Sequence, residues 1–105
     1  MDKAVLKRKL EEILSLEANW DDEDALRIER ETAEKAQKYI PLMEKKMQEK
    51  GWELSEPLIS AVPDGSIDVK WKTKYCEVLL NVPPKDKLPE YYGDNYSTDT
   101  IKGKL

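Results

Sequence analysis

The sequence of 105 residues contains no histidine and one cysteine, Cys76. Without histidine, the chain lacks the usual zinc ligands, the base of a histidine-dependent triad and the ordinary proton shuttle at neutral pH. A single cysteine cannot form an internal disulfide, which is typical of a protein in a reducing cytoplasm. These absences weigh against an enzyme and favour a cytoplasmic location.

Long apolar runs are also missing. Charged residues make up 38% of the chain and the mean hydropathy is −0.77, so we expect no membrane-spanning segment. No apolar stretch follows residues 1–4, so we expect no signal peptide. The 22 acidic and 18 basic side chains give a formal charge of −4, without a basic stripe. This balance predicts no nucleic-acid partner and no membrane partner.

The N-terminal half has the apolar period of helices. Two stripes recur at helical spacing: Leu6, Leu10, Ile13 and Leu14, then Ala33, Ala36, Ile40, Met43 and Met47. Gly51 is placed to end the second helix, and Pro41 predicts a kink or a break within it. The two helices are joined by residues 19–28, so they predict a helical hairpin.

The C-terminal half has a period of two, which is typical of strands. Alternation and turn residues predict strands at 58–62, 67–72 and 76–82, with a short edge strand at 90–92. The predicted fold is α+β, an N-terminal helical hairpin packed on a three- to four-stranded antiparallel β-meander. We expect one domain, 1–105, divided into the hairpin (1–51), the sheet (52–92) and a polar C-terminal segment of uncertain order (93–105).

An acid-rich segment is the first candidate site, because residues 11–24 contain seven acids and no base. Clustered carboxylates can hold a divalent cation, but the spacing matches no EF-hand loop. We favour a helix start, with Asp21 as cap, Asp24 in a capping box and a staple between Trp20 and Ala25. As a surface, the segment suits a basic protein partner, and its candidate residues are Glu17, Asp21, Asp22 and Asp24.

A polar cluster on the solvent face of the sheet is the second candidate, formed by Asp64, Asp68, Lys70 and Asp94. Three carboxylates and a lysine could serve a metal-dependent phosphoester hydrolase, with Lys70 as electrophile. The alternative is a turn followed by a charged strand face, which cross-strand pairing explains without a metal. We favour the alternative and assign no catalytic residue, no metal ligand and no cofactor.

Aromatic side chains offer a third candidate, a small-ligand pocket lined by Trp20, Trp52 and Tyr92. Two helices on a small sheet would leave an edge and a face open, which predicts a homodimer. The chain is rich in lysine and glutamate and poor in asparagine and glutamine, which indicates a thermophilic source.

The chain resembles a small family of uncharacterised prokaryotic proteins. The resemblance rests on three ordered motifs: Asn19-Trp20-Asp21 followed by Ala25, residues 63–68 followed by Trp71, and Tyr92-Gly93-Asp94 followed by Ile101-Lys102-Gly103. It implies a shared fold and a shared surface, and it supplies no activity, cofactor or catalytic residue. We therefore expect a small acidic protein-interaction module, with the hydrolase and the ligand binder as alternatives.

Overall fold

The computed structural model describes residues 1–96 and 99–105. Within these ranges the chain forms two helices and five strands: α1 (Lys3–Leu14), α2 (Arg30–Glu49), β1 (Leu58–Ala61), β2 (Ile67–Lys72), β3 (Glu77–Val82), β4 (Glu90–Asp94) and β5 (Thr100–Lys104). The strands form one antiparallel sheet in the order β1-β2-β3-β4-β5. The predicted α+β class is confirmed, with five strands in place of three or four.

Helix α2 continues through Pro41, where a kink or a break was predicted. The predicted break is wrong, whereas the predicted kink remains a prediction, since proline removes one helical hydrogen-bond donor. Ile40 and Met43 are fully buried beside the proline, and this packing of the apolar stripe holds the adjoining turns in place. The helix ends as predicted, with Gly51 at a φ of 79° and the Trp52 N–H bonded to the Met47 carbonyl.

The core lies between the two helices and one face of the sheet, called the inner face. Its strand residues are Ile67, Val69, Trp71, Val78, Leu80 and Val82. Helix α1 contacts β1 and α2, whereas α2 also contacts β2 and β3. The Trp71 ring is fully buried, and its Nε1 donates a hydrogen bond to Glu44 Oε2 at 3.1 Å. The alternating pattern of β2 therefore predicted the buried face correctly.

The sheet extends beyond the predicted boundary at residue 92, because β4 continues to Asp94 and residues 100–104 form β5. A glycine allows this pairing. A Cβ on Gly93 would lie 2.9 Å from Ile101 Cγ1 and 3.1 Å from Trp52 Cζ3. The missing side chain thus leaves room for both neighbours on the inner face, a contact that strand periodicity does not reveal.

Candidate interaction surface

The face of the sheet that points away from the helices, called the outer face, carries a row of side chains across all five strands. The register aligns Leu58, Lys70, Leu79, Tyr92 and Lys102. Three of these are apolar or aromatic and exposed: Leu58 by 68%, Leu79 by 40% and Tyr92 by 47%. An aligned set of exposed apolar side chains distinguishes this row from scattered surface leucines.

The polar residues around the apolar row are paired with one another. Glu77 lies 3.7 Å from Lys70 Nζ and 3.8 Å from Lys72 Nζ, and Glu90 lies 3.7 Å from Lys104 Nζ. Such exposed pairs contribute little to stability. Because these charged groups are already paired, the leucines and the tyrosine are the side chains of the row whose burial by a partner would contribute most to binding.

The predicted polar cluster is partly assembled at the turn between β1 and β2. Asp64 Oδ1 accepts hydrogen bonds from the Ser66 N–H at 2.9 Å and the Ser66 hydroxyl at 2.6 Å. These bonds, the hydroxyl first, lower the pKa of Asp64. Asn81 Nδ2 then donates to Ser66 Oγ at 3.0 Å and to Asp68 Oδ1 at 2.8 Å. The structure therefore links Asp64 to Asp68 through neutral side chains.

Asp94 lies at the other end of the outer face. In the strand register Asp94 stands opposite Glu77 of β3, whereas Asp68 stands opposite Asn81. Glu77 and Asn81 are four residues apart along β3. That offset corresponds to about 13 Å along the strand. The residues in 1–96 and 99–105 contain no group of three or more acidic or cysteine side chains that could hold a metal ion. The geometry thus separates the carboxylates that the hydrolase hypothesis requires to meet.

Beyond the end of α1, residues 17–24 of the acid-rich segment form a loop, where a helix start was predicted. Asn19, Asp22 and Asp24 have φ values of 62°, 59° and 64°, which lie in the left-handed region. Asp21 Oδ1 accepts the Glu23 N–H at 2.9 Å and the Ala25 N–H at 3.1 Å. The predicted cap is wrong because these short side chains bond to their own loop backbone, and α2 begins only at residue 30.

This acidic loop, residues 17–24, lies at the end of β1. The Leu26 N–H donates to the Pro63 carbonyl at 2.9 Å, which holds the chain after the loop against the β1–β2 turn. Glu17, Asp22 and Asp24 are exposed, whereas Asp21 is half-buried and occupied by its loop bonds. Three of the four predicted partner-binding carboxylates therefore face solvent near one end of the sheet.

The three aromatic residues proposed for a ligand pocket lie apart. Trp52 packs beside Gly93 on the inner face, whereas Tyr92 stands on the outer face. Trp20 belongs to the acidic loop, where its Nε1 donates to the Leu26 carbonyl at 3.2 Å. Because the sheet separates two of these rings, they do not line one cavity.

A groove between α1 and the free edge of β1, called the β1 groove, was not predicted. It has a volume of about 430 Å³. Its lining consists of Lys9, Glu12, Ile13 and Leu16 from the helix side and residues 58–61 from the strand. Sequence patterns could not pair segments so far apart, but the uncharged run at 58–61 was a local signal of an unusual edge strand.

Neither helix in the described part of the chain has the length and apolar character needed to cross a bilayer. Comparison with known proteins returned no matching family model, no matching curated protein and no matching solved structure.

Proposed function

We propose that this protein is a small acidic interaction module that binds a protein partner and catalyses no reaction. The observation that carries the proposal is the exposed row of Leu58, Leu79 and Tyr92 on the outer face. Full burial of one such side chain is worth about 1.5–3 kcal/mol. A partner that covers the row would therefore gain affinity from a surface that is uncovered in the monomer.

The charge distribution supports a basic partner. Glu17, Asp22 and Asp24 are exposed near the end of β1, and the whole chain carries a formal charge of −4. Such a field accelerates encounter with a basic surface and disfavours acidic ones. We also propose a cytoplasmic location, because a single free thiol is typical of a reducing compartment. Cys76 is buried, with its Sγ 3.7 Å from the Glu53 carbonyl, and serves as a structural thiol.

Affinity capture from a native lysate with matched leucine variants tests the proposal. Leu79→Ser alters the apolar row, whereas Leu42→Ser alters a leucine on α2 that is 47% exposed. We expect wild type and Leu42→Ser to retain the same identified protein and Leu79→Ser to lose it. Circular dichroism and light scattering establish that each variant is folded and give its mass.

Two results would contradict the proposal. Capture that does not depend on Leu79 would show that the apolar row is not the binding surface. A monomer that retains no protein in any form would remove the interaction itself. A dimer that Leu79→Ser dissociates would identify the partner as a second copy of the chain.

A further inference from the structure

The free edge of β1 presents backbone groups that no strand pairs within residues 1–96 and 99–105, and it presents them in a defined order. The Val62 N–H bonds to the Ser66 carbonyl, so the register places Leu58 and Ser60 in the hydrogen-bonded pairs with β2. The N–H and C=O groups of the alternate residues, Ile59 and Ala61, therefore point away from the sheet. This edge can accept one additional strand.

Helix α1 lies beside the position that this strand would occupy. Helix α2 packs over β2 and β3, whereas among the described elements α1 contacts only α2 and β1. Helix α1 therefore stands at the β1 side of the sheet. There Ile13 and Leu16 line the β1 groove together with residues 58–61.

We infer that an extended segment of the partner protein pairs with β1 as an additional antiparallel strand, beneath α1. This inference rests on the proposed function and specifies its binding mode. The backbone of the segment would bond to Ile59 and Ala61, and its inward side chains would contact Ile13 and Leu16. Its outward side chains would lie beside Leu58 and extend the apolar row of the outer face.

A second copy of the chain fits this edge poorly. A two-fold axis perpendicular to the sheet would pair β1 with its own copy and place both helix layers on the same side. Both copies of α1 would then occupy the space above the junction. An extended segment without a helix of its own avoids that overlap, so the geometry favours a peptide-like partner.

Charge specifies which end of the added antiparallel segment is basic. Lys9 Nζ donates to the Pro57 carbonyl at 3.4 Å, so a positive charge lies where β1 begins. The acidic loop lies where β1 ends, because the chain beyond it bonds to Pro63. An antiparallel segment begins at that acidic end, so its lysine or arginine residues should precede its apolar residues.

The experiment is a selection from a phage-displayed library of random peptides on the full-length chain. We expect enrichment of peptides in which lysine or arginine precedes alternating apolar residues. One enriched peptide is then synthesised, labelled and titrated by fluorescence anisotropy against wild type and two proline variants.

The proline variants are matched across the two edges of the sheet. Ala61→Pro removes an N–H that points out from β1, and Lys104→Pro removes one that points out from β5. Proline is tolerated at such edge positions, and circular dichroism verifies that both variants are folded. We expect Ala61→Pro to weaken peptide binding about tenfold and Lys104→Pro to leave it unchanged.

The double variant Glu17→Gln, Asp22→Asn tests whether the basic residues of the peptide lie at the acidic loop. It should weaken the basic peptide at low salt and have little effect on the same peptide with its basic residues replaced by glutamine. The added-strand model would be overturned if the β5 proline variant weakened peptide binding more than Ala61→Pro, or if the two variants weakened it equally. A selection that enriches no peptide would overturn it as well. The capture experiment on Leu79 would still decide the proposed function separately.

Discussion

The two edges of the sheet differ in the side chains that surround their unpaired backbone groups. The edge at β5 carries Lys102 and Lys104, and lysines on an edge strand discourage pairing with another chain. The edge at β1 has the uncharged sequence of residues 58–61 and a half-covered groove beside it. The contrast indicates that pairing is blocked at one edge and left open at the other.

The difference also has a structural origin. Helices α1 and α2 cover the β1 side of the inner face, whereas Trp52, Tyr91 and Ile101 pack against the core near β4 and β5. The β5 side is therefore closed by bulky side chains fitted around glycines. The β1 side retains a groove, lined by residues of α1 and by the edge strand itself.

The largest stability effect should come from Gly93→Ala at the β5 side. The new Cβ would lie 2.9 Å from Ile101 Cγ1, so the side chains must shift, and we expect a loss of about 1–3 kcal/mol. Urea unfolding measures this loss. Adding Ile101→Ala should cost less in the Gly93→Ala background than in wild type, because it relieves the contact. Additive costs would show that crowding at Ile101 is not the cause.

A smaller effect is expected at the turn that positions β1. Asp64→Ala removes the acceptor of two hydrogen bonds from Ser66 and should lower the free energy of unfolding by about 0.5–1.5 kcal/mol at neutral pH. The pKa of Asp64 is lowered in the folded state. Its carboxylate therefore stabilises the fold above the unfolded pKa, and this contribution disappears as the pH falls through the folded value.

The matched variant Asp64→Asn separates charge from hydrogen bonding. Its amide oxygen can still accept the Ser66 N–H, but it does not titrate. We expect a shallower loss of stability below about pH 4 than in wild type, measured by urea unfolding across the acid range. An acid limb identical to that of wild type would exclude Asp64 as a contributor.

The smallest stability effect, but the most direct comparison of the edges, comes from the lysines. Replacing Lys102 and Lys104 with isoleucine should change the free energy of unfolding by no more than about 0.5 kcal/mol. It should nevertheless create self-association at β5, visible as a concentration-dependent mass in sedimentation. Lys72→Ile on the outer face, away from either edge, is the control. Association of the control to the same extent as the edge variant would assign the effect to hydrophobicity rather than to the edge.

Local patterns predicted most of the framework. The helical stripe ending at Gly51, the alternation in β2 and β3 and the turn at Asp64 each reflect interactions within a few residues, so the sequence contains them directly. Two of the failures lie where distant contacts decide the outcome. Burial of Ile40 and Met43 keeps α2 continuous through Pro41, and the fit of Ile101 and Trp52 around Gly93 completes β5.

The features of the candidate site also fall into those that the sequence predicted and those that depend on distant contacts. The sequence identified the acid-rich segment and the residues of the polar cluster, because charge and alternation are visible in one dimension. It could not show that Asp94 lies far from Asp68, since that separation depends on strand order and register. It also missed the exposed row, although Leu79 was a signal as an apolar residue on an otherwise polar strand face.

By itself, the sequence determined the helical and strand periods, the absence of histidine chemistry and the position of the acidic charge. Only the tertiary structure decided which leucines align on the outer face and which sheet edge has a helix above it. The physical reason is that periodicity reports which face of an element is apolar. The element that packs against that face, and the edge left open beside it, depend on contacts between distant parts of the chain.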